Sequence, residues 1–582
     1  MAAVCFLAFI AFGVCGCGKS TSMTSVPPKT PQSKPVAKTK SPVSTNSDDL
    51  AKLFPDDTVA YFLLRDVQKA KREFIQPRYV KDAVAAKKAW TAIINETFKA
   101  IRQPGNSYNV SGLTILRFLS EIQSLHVGLF EMPQAGRIPQ GIAIVTLSSE
   151  TGFKTLKTQL GKRLVPKTVG GKQLQIVKGA LRIGFHEWSQ KTIILGTEES
   201  LSKFVDWNEN PQRKSLADEK LFLEARQYVG ATGELFAYLD YRRFVEEELA
   251  KPHLQFSSLA GSLSVDGGFT FHVRTSPAHP LPPFLLRKPR KKSLLKRIPA
   301  KTALLISTSY DSPYSQRKEF ATWLTAQLSG ESNSAFQLIP TGWKDLAQTF
   351  AHSKNRSLNE VVQLLNDLWF GIPPVKSEVA LFAAPLSGGR WGAAVICDIT
   401  KSEDAAPIIR RLREIAQHSR LTWQTETIRD VKIQYVDLQQ VIRKFSSQDN
   451  DGPLKTLIQP KIGYAVHKGL LLIGSIDLLK YCVQPSGKTI EDQLAYDHLD
   501  KKNGVLFLIR PGNILNRKFG FAPVDDILKK LAAQIPVDSN YAVTLNSEAR
   551  GITVRSNIPF TSLAGWLVLE WMGKGPAKLK SP

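Results

Sequence analysis

The chain has 582 residues, 43% of them hydrophobic and 22% charged, and its 77 lysines and arginines outnumber 51 aspartates and glutamates for a formal net charge of +26. That length and apolar content support large buried cores and at least two domains of ordinary size. Five cysteines with no C-x-x-C spacing exclude a metal site of that kind.

The first element is an unbroken apolar run, Val4 to Val14, too short to span a bilayer core of about 30 Å and of the length of a signal-peptide apolar region. Val14-Cys15-Gly16-Cys17 follows and resembles the bacterial lipoprotein cleavage box, which implies a signal peptide over 1–16 and lipid attachment at Cys17. The expected address is the bacterial cell envelope, on its periplasmic or cell-surface face, anchored to a membrane through that lipid. Gly13 to Ser20 also spells G-x-x-x-x-G-K-S. A phosphate loop must open a helix, whereas Ser20 leads into Thr, Ser, Met, Thr, Ser, Val, Pro and Pro, so nucleotide binding is rejected. Residues 17–50 read as a disordered Ser/Thr/Pro/Lys tether with a reach of about 30 Å.

From residue 51 the chain alternates strand and helix signals. Strands are predicted at Ala60 to Leu64, Gly141 to Leu147, Thr192 to Leu195, Leu235 to Leu239, Val379 to Ala383, Gly392 to Ile396, Leu470 to Ile473 and Val505 to Ile509. Helical spacing of apolar residues marks Val80 to Ile101, Asp404 to Ala416 and Val524 to Ala533. Leu181 to Phe185 with Thr192 to Leu195, and Ile462 to Val466 with Leu470 to Ile473, are hairpin-like pairs and predict antiparallel sheet. The fold class read from this pattern is α+β, two homologous tandem domains, each a mostly antiparallel sheet covered by helices.

Tandem duplication is read from matches that recur in chain order. Pro55 and Thr58 before Val59 to Leu63 return as Pro299 and Thr302 before Ala303 to Ile306. Val127 to Phe130 with Pro133 returns as Val379 to Phe382 with Pro385, Gly141 to Val145 as Gly392 to Ile396, Ile194-Leu195-Gly196 as Leu472-Ile473-Gly474, and Phe271 to Ser276 as Ile552 to Ser556. The expected organisation is a first repeat over 51–280, a basic linker over 281–298, a second repeat over 299–559, and an apolar segment with a basic tail over 560–582. Leu53, Pro55, Asp57 and Thr58, with the tether and the duplication, resemble a family of exported bacterial proteins known only as a domain of unknown function, whose members often begin near a Leu-Pro-Ala-Asp-Thr strand. The resemblance implies no activity, and Lys301 stands in the second copy where the first has Asp57.

The densest charge lies between the repeats, where Arg287, Lys288, Arg290, Lys291, Lys292, Lys296 and Arg297 place seven basic residues in eleven. Such a run is a solvated linker or a contact for anionic lipid or another envelope polyanion, each basic residue adding about 1 kcal/mol near an anionic surface. Nucleic acid is not expected outside the cytoplasm, and any protein partner is unidentified. A disulfide between Cys397 and Cys482 is chemically open in an oxidising envelope.

No catalytic residue, cofactor or metal-ligand set is read from the sequence. His186-Glu187 begins like a zinc-protease helix, but Gln190 occupies the second ligand position and the neighbours alternate like a strand. Glu198-Glu199 suits a helix start and Glu246-Glu247-Glu248 an exposed helix. Phe560 to Met572 is apolar, too short to span a bilayer, and suits either a final docked helix or a membrane-interface helix with Trp566 and Trp571 at headgroup depth. The leading expectation is therefore a lipid-anchored, non-enzymatic binding or scaffold module. The alternatives are a hydrolase of an envelope polymer using carboxylates gathered by folding, and a carrier of a lipid or other apolar ligand.

Overall fold

The computed structural model describes residues 48–75, 112–131, 140–178, 182–230, 233–244, 256–264, 267–275, 294–309, 375–387, 390–418, 420–439, 459–494, 504–510, 512, 540–548 and 550–558. Two compact units divide the chain, one of residues 1–279 with 557–582 and one of residues 280–556. Residues 17–47 of the expected tether, the helices at 80–101 and 524–533, the acidic run at 246–248 and the basic residues 287–292 lie outside the described residues, whereas residues 48–50, expected as tether, belong to a 3-10 turn whose Leu50 packs against the first unit's core.

In the first unit a 3-10 turn, Asp48–Leu53, precedes β1 (Ala60–Leu64), α1 (Val67–Ile75), α2 (Gly112–Glu121), β2 (Ile122–Leu129), β3 (Gly141–Leu147) and α3 (Thr151–Leu160). Four short strands follow, β4 (Leu164–Val169), β5 (Lys172–Val177), β6 (Ile183–Glu187) and β7 (Thr192–Thr197), then α4 (Glu198–Glu209) and α5 (Lys220–Val229). The unit continues through β8 (Leu235–Asp240), α6 (Tyr241–Phe244), β9 (Phe256–Ser264) and β10 (Gly268–Thr275). Pairing runs 4-5-6-7-3-2-1-8-9-10, antiparallel at every step. The first strand of the chain thus sits inside the sheet, held by β2 on one side and β8 on the other.

The second unit contains a 3-10 turn, Leu294–Arg297, then β11 (Leu304–Ser309), β12 (Val375–Pro385), β13 (Trp391–Ile399), a 3-10 turn at Ser402–Ala405 and α7 (Ala406–His418). It closes with β14 (Gln424–Ile428), β15 (Val431–Asp437), β16 (Lys461–His467), β17 (Leu470–Ser475), α8 (Ile476–Val483), α9 (Ile490–Leu494), β18 (Val505–Ile509), β19 (Tyr541–Glu548) and β20 (Gly551–Ser556). Its pairing runs 14-15-16-17-13-12-11-18-19-20, again antiparallel throughout.

Local chemistry fixes several of these joints. Two-residue hairpin loops of type I′ need both central residues at positive φ. Gly170 and Gly171 supply this between β4 and β5 (φ 50° and 73°), and Lys468 and Gly469 between β16 and β17 (φ 49° and 73°). Helix α4 starts where Thr197 accepts a hydrogen bond from Ser200 N at 3.2 Å, and Glu198 and Glu199 fill its first turn, as the sequence predicts.

Each sheet has a closed face. In the first unit Tyr61, Leu63, Ile142, Ile144, Ile194, Phe236 and Tyr238 are buried there with Leu201, Phe204 and Phe222 of α4 and α5. In the second unit Leu305, Phe382, Ile396, Leu472 and Leu508 are buried there with Leu294 and Leu295, Leu479 and Cys482. The apolar pair Leu294-Leu295 therefore draws the end of the expected 281–298 linker into the folded second unit, because burying each such side chain is worth about 2 kcal/mol.

Cys397 and Cys482 are free and buried, so the disulfide does not form. They lie in different clusters on opposite faces of the sheet, Cys397 with Val379 and Val395 and Cys482 with Leu479. Burial pushes both thiols up to about 12. Maleimide at neutral pH should leave the peptides carrying Cys397 and Cys482 unlabelled in the folded chain and label both in denaturant; rapid native labelling of either would place that thiol at the surface.

Candidate functional site

The second face of each sheet departs from what a one-sided antiparallel sheet carries. Such sheets alternate apolar residues toward the core with polar residues toward water. Strand β8 reads Leu-Phe-Ala-Tyr-Leu-Asp, and Phe236, Tyr238 and Asp240 are buried while Leu235, Ala237 and Leu239 are half-buried and apolar. Strand β18 does the same, with Leu506 and Leu508 buried and Val505, Phe507 and Ile509 half-buried.

One end of each second face is roofed. In the first unit Val67 and Ala70 of α1, Phe118 and Leu119 of α2 and Phe153 of α3 pack over Leu64, Val145 and Ile193. In the second unit Ile408 of α7, with Ala405, packs over Val395, Cys397 and Leu471. At the other end of the first unit's face, Ala60, Val127 and Leu129 cluster with Phe62, Leu125, Ala143 and Leu239, and every member of that cluster is a strand residue. The matching end in the second unit carries Leu304, Ile306, Phe507, Val543, Leu545 and Val554, all half-buried. The arrangement offers apolar contact area and shape, with no nucleophile or acid-base pair among those residues.

The chemistry-bearing residues lie on the closed faces and are held by their own unit. His126 is fully buried, with its Nδ1 2.7 Å from the Tyr61 hydroxyl and its Nε2 without a partner. Burial, helped by the Arg65 and Arg226 charges, pushes this imidazole down to about 3. Asp240, 2% exposed, is gripped by Arg242 through Nε at 3.0 Å and Nη2 at 2.7 Å, and Arg242 Nη2 also reaches Glu219 at 3.2 Å. Burial pushes the Glu234 carboxyl up, but hydrogen bonds from Lys69 and Ser264 outweigh it and hold the group below its usual range.

The sequence-predicted residues distribute as follows. Cys17 and the basic residues Arg287, Lys288, Arg290, Lys291 and Lys292 lie outside the described residues. Lys296 is 71% exposed and sits 3.8 Å from Glu491. Arg297 is turned inward, its Nη1 donating at 3.3 Å to the carbonyls of Cys482 and Val483 at the end of α8, where a cation suits the helix dipole. It is therefore spent on the second unit's own packing. His186 stands in β6, its Nδ1 3.1 Å from the Gln173 carbonyl, in keeping with the strand reading and not with a zinc-protease helix. Glu198 is held below the usual carboxylate range by its hydrogen bond from Lys167 at 2.7 Å, with Arg182 at 2.8 Å. Among the described residues no group of three His, Cys, Asp or Glu could hold a metal ion, and no helix is long and apolar enough to cross a membrane.

Sequence reasoning missed the Tyr61–His126 pair and the Asp240 clamp. The first left no signal, since its partners are 65 residues apart; the second was readable as the local Asp240-Tyr241-Arg242-Arg243 run.

No protein-family model matches the chain, and no curated protein matches it. Two solved structures do, crystal forms III and IV of TP0453. Form III is 11% identical over 40% of this chain and 80% of that chain, with a TM-score of 0.24. Form IV is 13% identical over 38% and 81%, with a TM-score of 0.23. Likeness at that level carries no argument about fold or function.

Proposed function

We propose that this protein is a lipid-anchored component of a bacterial cell envelope whose two homologous domains act as a repeated, non-enzymatic binding or scaffold platform. The observation that carries the reading is the apolar second face, which recurs at the same place in both units. Homology of the units is supported by a shared strand order and by shared joints. Thr58 N and Thr302 N donate to Pro55 O and Pro299 O at 3.1 and 3.0 Å, and Asp240 N and Arg510 N donate to Val59 O and Ala303 O, both at 2.8 Å. Pro55 bridges Ser215 and Pro299 bridges Thr489, and each of those hydroxyls donates to an aspartate three residues on, Asp218 and Asp492, at 2.5 and 2.9 Å.

The anchor rests on the cleavage-box residues ending at Cys17. Fractionating cells that express wild type and Cys17→Ala should move most of the variant from the membrane to the soluble fraction; equal membrane association of the two removes the anchor. Carriage of a lipid or other apolar ligand is a second reading favoured by the same face. Organic extraction of detergent-free protein should then release an amphiphile near one per unit, and a ligand-free extract sinks it.

A further inference from the structure

Strand β4 of the first unit and strand β14 of the second each pair on one side alone among the described residues. Both belong to hairpins with two-residue loops, Gly170-Gly171 and Arg429-Asp430, and all four loop residues have positive φ. In such a hairpin the residues flanking the loop bond to each other, and the backbone groups of every second residue point away from the partner strand. Lys178 N donates to Arg163 O at 2.9 Å, which continues that alternation in the first unit. The outward-pointing residues are therefore Leu164, Pro166 and Thr168 of β4, and Thr425 and Thr427 of β14.

The two edges differ at these positions. Counted back from the loops, Pro166 stands in β4 where Thr425 stands in β14. Proline has no N–H to give, so it blunts the first edge. Thr425 and Thr427 are both exposed and keep an outward N–H and carbonyl each.

Charge divides the same way. Lys167 and Lys172 of the first hairpin are held by Glu198 and Glu209 of α4 at 2.7 and 3.5 Å. Around β14, Arg420, Arg429 and Lys432 are exposed and have no acidic partner among the described residues. Arg413 of α7 bonds to the neutral Tyr464 hydroxyl and Gln434 side chain, both at 3.1 Å. Of the nearby carboxylates, Glu426 is tied to Lys480 at 2.6 Å and Asp430 stands in the loop. Register sets Lys432 across from Thr427 and Gln434 across from Thr425, on the α7 side of the sheet.

A strand edge with its hydrogen-bonding row open takes an extended peptide as a further strand, with main-chain bonds supplying affinity and alternate side chains specificity. We propose that β14 receives an extended acidic segment of a partner protein, bonded to the backbone of Thr425 and Thr427, with carboxylates at alternate positions facing Lys432 and Arg413. Pro166 and the paired lysines of β4 confine this to the second unit. The site is separate from the apolar second face, so either can fail without the other.

Fluorescence anisotropy of a labelled peptide alternating Glu and Val tests this on the full chain carrying Cys17→Ala. The chain should bind it and ignore a peptide alternating Lys and Val. Thr425→Pro, which copies the block of the first unit, should weaken binding roughly tenfold, whereas Thr168→Pro on the edge already blocked should change nothing. Lys432→Glu, which leaves the backbone alone, should shift the preference toward the Lys peptide. Equal binding by wild type and Thr425→Pro overturns the proposal, as does a Lys432→Glu chain with the wild-type preference. So does a chain that ignores the Glu peptide but self-associates until Thr425→Pro is introduced, which would make a second copy the occupant.

Discussion

Lowering the pH from 6.5 to 4.5 is expected to cost the first unit about 2 kcal/mol of stability through His126 alone. The sign follows from the direction of the shift. In the unfolded chain the imidazole takes its proton near pH 6.5, whereas in the folded chain burial and the Arg65 and Arg226 charges delay this to about 3. Below 6.5 the unfolded state binds the proton first, so stability is complete above that pH and is lost progressively as pH falls toward 3. His272 is buried as well and pushed down to about 4, so it adds a second loss of the same sign. His126→Asn keeps an acceptor for the Tyr61 hydroxyl and cannot titrate. Urea unfolding of both chains at pH 7 and 4.5 should give the variant the smaller acid loss by about 2.5 kcal/mol. Equal losses would mean that His126 protonates without opening the fold.

The second large effect is expected at Phe222. Its ring meets Tyr61, Phe236 and Tyr238 edge-on, with centroids 5.4, 5.9 and 5.2 Å away, and it is completely buried. Three strand residues thus depend on one helix residue for their roof. Phe222→Ala should destabilise the first unit by about 3–5 kcal/mol, transfer and cavity terms together. Phe222→Leu, which keeps more of the volume, should cost markedly less. Unfolding midpoints for the two variants check the order; a harmless alanine would show that α5 does not hold the closed face together.

The strands were the legible part of this fold. Ala60–Leu64, Gly141–Leu147 and Val505–Ile509 form where β-branched and apolar runs predict them, and both predicted hairpins pair antiparallel. The helix expected from Asp404 begins instead as a 3-10 turn and becomes regular at Ala406, after Asp404 has accepted a hydrogen bond from Lys401 N at 2.9 Å. Register between the two units was less legible. Through their partners in the central strand, Val127 stands where Leu381 does and Ile144 where Ile396 does. The sequence match places Val127 on Val379 and Ile144 on Val395. The first slip is two residues and keeps the face; the second is one residue and exchanges faces. Apolar runs without polar punctuation cannot fix register, and the matched segments, Val127 to Phe130 and Val379 to Phe382, are such runs. The candidate surface was hidden for the same reason: a strand apolar at every position does not say which of its faces meets helices.

The position of β1 has a consequence for how the protein is made. Its partner β8 begins at Leu235, so during synthesis the strand nearest the N-terminus must wait about 170 residues for one of its two neighbours. Until then one row of its backbone amides and carbonyls is open, with apolar side chains on both sides, which is the surface that recruits the wrong strand. A chain stalled or clipped before residue 235 would hold a sheet missing three of its ten strands, and β11 repeats the problem with β18. The interval between each of these strands and its late partner is therefore the stretch of synthesis over which wrong pairing competes with the native fold.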